Sequence, residues 1–329
     1  MSLLEKPENR SQVIIHNQIF SDIDEFSAVL NQKRYFRLTQ LQKAPFQYQV
    51  NCLDFGLAQF LKFQSNCSIE AKGEKSEGYL EFVCLFNDNQ KYQYISHGVP
   101  MTSQHLFAFD HNREADSIVP ANMELVLFRI DKNCFFDCVE ALDRSDINDR
   151  LLHKNYLFLP ETIINIKRYI KRIFNIVEKT PHILHQPLLE KLILENFTPL
   201  LINSIPSPTT QTTLPLSPNF RKKIFQDTRD FMIAHLDKPI TIKDICLAVH
   251  ASSSTISYSF QDTIGLSPMK YLKILRLNKV YQTLRIADPQ QTSIEQIANS
   301  CGFWSLGHFC RDYKEFFGEL PSVTLNKRS

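Results

Sequence analysis

Residues 293–321 read SIEQIANSCGFWSLGHFCRDYKEFFGELP, and the same plan stands 52 to 53 positions earlier, over 241–268, as TIKDICLAVHASSSTISYSFQDTIGLSP. In the earlier copy Ile242, Ile245, Cys246 and Val249 fall at i, i+3, i+4 and i+7, the spacing of one apolar helix face. Ile294, Ile297, Ala298 and Cys301 repeat it 52 residues on. After a break, at His250-Ala251 in one copy and Gly302-Phe303 in the other, a second periodic run ends Phe260, Gly265, Pro268 or, 53 residues on, Tyr313, Gly318, Pro321. The offset grows by one at the break, so the corner is one residue longer in the second copy. Two short helices about a tight corner, written twice, read as a duplicated helix-turn-helix. Such a chain can enter two successive major-groove segments of double-stranded DNA without a partner subunit.

Local chemistry agrees with these helix boundaries. Thr241 and Ser293 stand where a hydroxyl accepts from an orphan backbone amide, with Asp244 and Gln296 three residues later; the second reads as the fuller capping box. Ser267-Pro268 joins a cap to proline at the first helical position and opens a long run, Met269 to Ile286, that spaces the two motifs. Tyr271, Leu275, Val280 and Leu284 line one side of that run, and Lys270, Lys273 and Lys279 are expected outside. Ile242, Ile245, Ile256, Phe260, Ile294, Ile297, Phe309 and Tyr313 are core by pattern, and Trp304 is expected to pack the corner.

The 329-residue chain is 43% hydrophobic, enough for two cores. No apolar run is long enough to span a membrane, and the polar start MSLLEKPENRSQ does not read as a signal peptide, so a cytoplasmic protein is expected. Cys52, Cys67, Cys84, Cys134, Cys138, Cys246, Cys301 and Cys310 form no CxxC pair and read as reduced, mostly buried thiols. The net charge of +2 is uneven: residues 1–217 hold 22 Lys and Arg against 25 Asp and Glu, and residues 218–329 hold 15 against 10. The repeat-bearing part is the basic one, as a phosphate-facing surface requires.

Ser204 to Asn219, rich in Pro, Ser and Thr and without charge, reads as an extended tether. Upstream, short aromatic and β-branched runs begin at Tyr35, Gln47, Gln59, Tyr79, Lys91 and Met123, separated by Gly, Asn, Asp or Pro. They predict a sandwich or barrel, in the preferred version a jelly roll able to hold a small molecule inside. From Pro160 the period becomes helical. Ile163, Ile166, Ile170, Ile173 and Val177 form one stripe, and Leu188-Leu189 and Leu192-Ile193 follow a break from Pro181 to Pro187. The stripe either packs on the barrel or also mates with a second copy in a homodimer.

The second motif, with Gly302-Phe303-Trp304-Ser305, His308-Phe309-Cys310-Arg311-Asp312-Tyr313-Lys314, Phe317-Gly318 and Pro321, lies close to the pattern G-F-x-S-x-S-H-F-x-R-x-F-K-x-x-F-G-x-x-P. Residues 219–325 resemble the C-terminal DNA-binding domain of the AraC/XylS family of bacterial transcription regulators. The resemblance implies a seven-helix domain docking across two adjacent major-groove segments, with an N-terminal effector-binding or dimerisation domain. It further implies a DNA-binding transcription regulator, in this reading an activator that contacts RNA polymerase and responds to a small-molecule effector. Mapped onto this chain, it places Ser253, Ser254, Ser257 and Tyr258 of the first recognition helix, and Ser305, Leu306, Gly307, Cys310 and Arg311 of the second, at the DNA. Arg311 can bridge guanine O6 and N7 with its planar fork, unless Asp312 or Glu315 takes it. The chain departs from the pattern in carrying Tyr258 where arginine is frequent, in having no Lys or Arg from Ser253 to Ile264, and in ending Pro321-Ser-Val-Thr-Leu325.

The expected organisation is two-domain: a mostly β, jelly-roll or cupin-like sensor domain over 1–155, a helical hairpin over 156–203 with a dimerisation role left open, a linker over 204–218, and an all-α DNA-binding domain over 219–329 with motifs at about 241–264 and 293–317. No P-loop, G-x-S-x-G, H-E-x-x-H or dinucleotide fingerprint is present, so no enzyme, cofactor, metal site or membrane partner is expected. The competing reading is a metal- or redox-responsive regulator, using His97, His105 and His111 or the Cys134 and Cys138 pair.

Overall fold

The computed structural model describes residues 14–31, 35–88, 92–180, 189–207 and 220–326. The N-terminal half is built from β1 (Ile14–Phe20), helix α1 (Ile23–Leu30), β2 (Phe36–Gln40), β3 (Tyr48–Asp54), β4 (Ala58–Ser65), β5 (Ile69–Gly73), β6 (Tyr79–Leu85), β7 (Tyr94–Ser96), β8 (Val99–Met101), β9 (His105–Phe107), β10 (Ala115–Val119) and β11 (Glu124–Asp131). After α2 (Lys132–Ala141) and α3 (Asp149–Leu152), a last strand, β12 (Tyr156–Phe158), returns to the sheet. One sheet has the order β1-β3-β4-β11-β6-β9-β12 and the other β2-β5-β10-β7-β8, all neighbours antiparallel. This is the mostly β sandwich the sequence predicts, and its seven-stranded sheet extends past residue 155.

Central strands of that sheet are covered on both faces, and the period of two sorts their side chains. On β6, Val83 and Leu85 point between the sheets, whereas Leu80, Phe82 and Cys84 point outward under helices. The inner space is filled by rings: Phe26 stacks on Tyr48 at 4.4 Å, and Tyr94 meets Phe107 at 5.0 Å. The expectation of an interior suited to a ligand therefore meets aromatic packing between the sheets.

The outer face is roofed by α2, α4 (Ile163–Lys179) and α5 (Leu189–Ser204). All five stripe residues of α4, from Ile163 to Val177, are buried in the cluster that also holds Phe82, Phe128 and Phe197. The stripe is thus consumed inside the chain, and the alternative that it mates with a second copy is corrected. Arg144 donates to the carbonyls of Ile202 (3.0 Å) and Ile205 (2.9 Å), satisfying the C-terminus of α5. Ser204 belongs to that helix and Ile205 is buried, so neither is part of a tether. The Pro, Ser and Thr stretch from 208 to 219 lies outside the described residues, as do the break from Pro181 to Pro187 and Lys91.

The C-terminal half holds seven helices among the described residues: α6 (Phe220–Ala234), α7 (Ile242–Val249), α8 (Ser253–Ile264), α9 (Pro268–Ile286), α10 (Ile294–Ser300), α11 (Leu306–Phe317) and α12 (Pro321–Asn326). It docks on the sheet domain through α6 and α9, and one hydrophobic cluster runs continuously through both halves. Polar contacts fix the dock. Arg229 of α6 grips Asp116 of β10 with two bonds (2.8 and 2.6 Å) and lies 3.6 Å from Glu70 of β5, whose other oxygen accepts from the Tyr271 hydroxyl at 2.7 Å. Although burial alone would raise it, the guanidinium's hydrogen bonds and charge hold the Asp116 carboxyl below the ordinary carboxylate range. Asn278 of α9 donates to Gln40 O (3.0 Å) and accepts from Gln40 N (3.2 Å), closing the outer side of β2. The Tyr281 hydroxyl donates to Asp22 at 2.7 Å.

Candidate nucleic-acid interface

Each motif is a short helix, a corner and a longer helix, and α9 joins the first motif to the second along the chain. Its 19 residues give α9 a length of about 28 Å, on the scale of one duplex turn. The first corner turns on His250, which adopts a left-handed conformation (φ 51°). The second uses Gly302 at φ 81°, where a side chain would also overlap the guanidinium of Arg276. That guanidinium reaches the carbonyls of Leu236 and Lys238, tying the end of α6 to the second corner.

Capping differs from the expectation. Thr241 and Asp244 form the complete box, with Asp244 N donating to Thr241 Oγ1 (3.3 Å) and Thr241 N to Asp244 Oδ2 (2.8 Å). Ser293 makes only the forward bond, to Gln296 N. An aspartate carboxylate accepts more strongly than an amide oxygen, which favours the first box. Ser252 and Ser267 also cap with their side chains. Ser305, which starts α11, makes no side-chain cap bond, so its hydroxyl and the leading amides of α11 face outward. A helix start of this kind suits a phosphate oxygen.

The expected DNA-facing residues fall on two exposed surfaces. Ser253, Ser254, Ser257 and Tyr258 are exposed along α8, with Tyr258 63% exposed. The Ser254 hydroxyl shares a bond with Ser252, so part of its capacity is already used within the protein. Ser305, Leu306, Gly307 and Arg311 are exposed on α11. Cys310 is half-buried against the core, and burial pushes its thiol up.

Arg311 is taken by neither carboxylate beside it. Asp312 pairs with Lys273 (2.6 Å) and Glu315 with Lys43 (3.1 Å), while among the described residues Arg311 meets the ring of His308. Trp304, expected in the corner, is 69% exposed, because Phe303 fills that role against Phe309 at 5.1 Å. The departed ending still packs: Thr324 accepts from the buried Tyr313 hydroxyl at 2.8 Å and donates to Glu319 at 2.7 Å.

The residues of the metal or redox reading do not converge. Among the described residues no group of three His, Cys, Asp or Glu could hold a metal ion. His97 bonds Ser96 and the Glu114 carbonyl, His105 bonds Thr102, and His111 bonds Lys132. Cys134 and Cys138 are half-buried on α2.

The family described as a helix-turn-helix domain matches residues 245–327, which include most of both motifs. A solved probable AraC family transcriptional regulator from Rhodopseudomonas palustris is 37% identical over 32% of this chain and 98% of its own, with a TM-score of 0.30. This chain belongs to the AraC/XylS family. Curated relatives match about a third of this chain. The probable thc operon regulatory protein of Rhodococcus erythropolis is 35% identical over 96 residues, 29% of each chain. The XylDLEGF operon transcriptional activator of Pseudomonas putida is 28% identical over 103 residues, 31% of this chain and 32% of its own. The chain thus matches under a third of the length of these relatives. No helix among the described residues is long and apolar enough to cross a membrane.

Proposed function

We propose that this protein is a sequence-specific DNA-binding transcription regulator that seats α8 and α11 in two adjacent major-groove segments of one duplex. The observation that carries the reading is the pair of exposed helix surfaces, on α8 and α11, in two motifs joined by one long helix, with the Arg311 guanidinium of α11 bound by neither neighbouring carboxylate. The protein acts in the cytoplasm as an activator touching RNA polymerase, and a small molecule sets its activity.

The effector reading is supported by a cleft of about 900 Å³ between the halves, within the range of small-molecule sites. Phe36, Arg37 and Thr39 of β2 line one side, and Leu275, Lys279 and Thr283 of α9 the other. A molecule lodged there touches both halves and biases how the DNA-binding half is held.

A genome-wide map of bound sites, followed by guanine N7 protection on the strongest site, tests the DNA reading. The expected footprint has two major-groove patches about 10 base pairs apart on one face of the duplex, produced by a single chain. Retention of all DNA without preference, or a single patch, would overturn it.

A further inference from the structure

Trp304 is the chain's single tryptophan, and the fold does not need it in the corner, where Phe303 already packs on Phe309. It stands immediately before Ser305, the unspent cap of α11. Behind it come Leu306, 40% exposed, and Gly307, where a Cβ would meet nothing within 4 Å. The leading edge of the second recognition helix is therefore a broad indole, a leucine and a stretch of bare backbone. Apolar groups left in water on a surface that otherwise carries polar and cationic groups are stabilised by contact with apolar groups of a partner. Within the major groove, the apolar group displayed by a base pair is the 5-methyl of thymine.

We propose that Trp304 and Leu306 form an apolar reading edge that packs on thymine methyls and the adjoining deoxyribose in the groove segment taken by α11. Gly307 lets the backbone approach the base edges closely, and Arg311, on the following turns, supplies the hydrogen-bonded contact. This inference rests on α11 being a recognition helix. It divides the labour within one helix: the guanidinium selects guanine and the leading edge selects thymine.

The test uses the full chain and the duplex giving the strongest footprint, together with copies in which single thymines of the α11 half-site are replaced by deoxyuridine, which lacks only the methyl. Because the chain has one tryptophan, its emission reports on residue 304 alone. Binding should quench it and shift it to the blue. Loss of one methyl contact should weaken binding by about fourfold at one or two thymines. Trp304→Ala should weaken binding by about tenfold or more and become indifferent to those same uracil replacements, while Trp304→Phe keeps most of the affinity and the uracil sensitivity. Unchanged emission on a duplex that the protein binds, or a Trp304→Ala protein with wild-type affinity, would overturn the proposal. If Arg311→Ala also bound normally, the failure would lie with α11 as a recognition helix instead.

Discussion

The two helix-turn-helix motifs share a backbone plan and differ in what they offer to a partner. α8 presents serine hydroxyls and one phenol, has no lysine or arginine, and has its C-terminal glycine held against the sheet domain, where a Cβ on Gly265 would overlap the Tyr92 hydroxyl. α11 presents an indole, a leucine, a bare glycine and a guanidinium held by neither neighbouring carboxylate, and leaves its own N-terminus uncapped by a side chain. The two copies share helices that depend on buried positions such as Ile256 and Phe309, and they differ at their exposed positions. The first copy leans on the dock through α6, on which α8 packs, and the second touches the sheet domain at Glu315, which pairs with Lys43.

The largest test of that contrast is at Arg229. Arg229→Met leaves Asp116 and Glu70 buried without their cation and should cost about 3–5 kcal/mol in urea unfolding. Because α8 packs on α6, hydrogen exchange should rise first in α8 and less in α11; equal loss in both would break the comparison. The same contact predicts an acid response. A carboxyl held below its ordinary range binds fewer protons in the folded state, so the stability from Asp116 is present above about pH 3.9 and is lost as pH falls through its depressed value. Acid titration of unfolding should show that slope in the wild type and lack it in Arg229→Met.

Recognition should divide the other way. Arg311→Ala should weaken specific binding by about 1–3 kcal/mol and Tyr258→Ala by less than about 1, measured side by side by anisotropy at one salt concentration. A larger loss at Tyr258 would make the first motif the principal reader.

The smallest effects sharpen the comparison at the helix starts. Thr241→Ala removes a complete capping box and should cost about 1 kcal/mol of stability. Ser305→Ala removes no intramolecular cap bond and should change the thermal midpoint little, while weakening DNA binding if its hydroxyl meets a phosphate.

The helical half was legible because its signals are local. Apolar spacing at Ile245 and Ile297, hydroxyls at Thr241 and Ser267, and glycines at 265 and 318 act within a turn of where they stand. β5, β8 and β9 were not legible, since three to five residues such as IEAKG carry too little alternation to stand out. The dock was invisible for a different reason: it joins Glu70 to Arg229 and Gln40 to Asn278, and nothing in either neighbourhood announces the other. At the motifs, residue type misled at Trp304, whose apolar character says core when the adjacent Phe303 has already taken that place.

The side-chain amide of Asn278 against Gln40 carries one more consequence. β2 is the outermost strand of its sheet, and the Gln40 backbone donor and acceptor on that border end on α9, as does the Leu38 carbonyl through Gln282. An open border of this kind is a template on which a strand from another molecule can assemble. The helix that spaces the two motifs therefore also shields the sheet from its neighbours in a crowded cell. Separation of the halves trades that shield away, and the solubility of the whole chain is tied to the same helix that sets the spacing of its motifs.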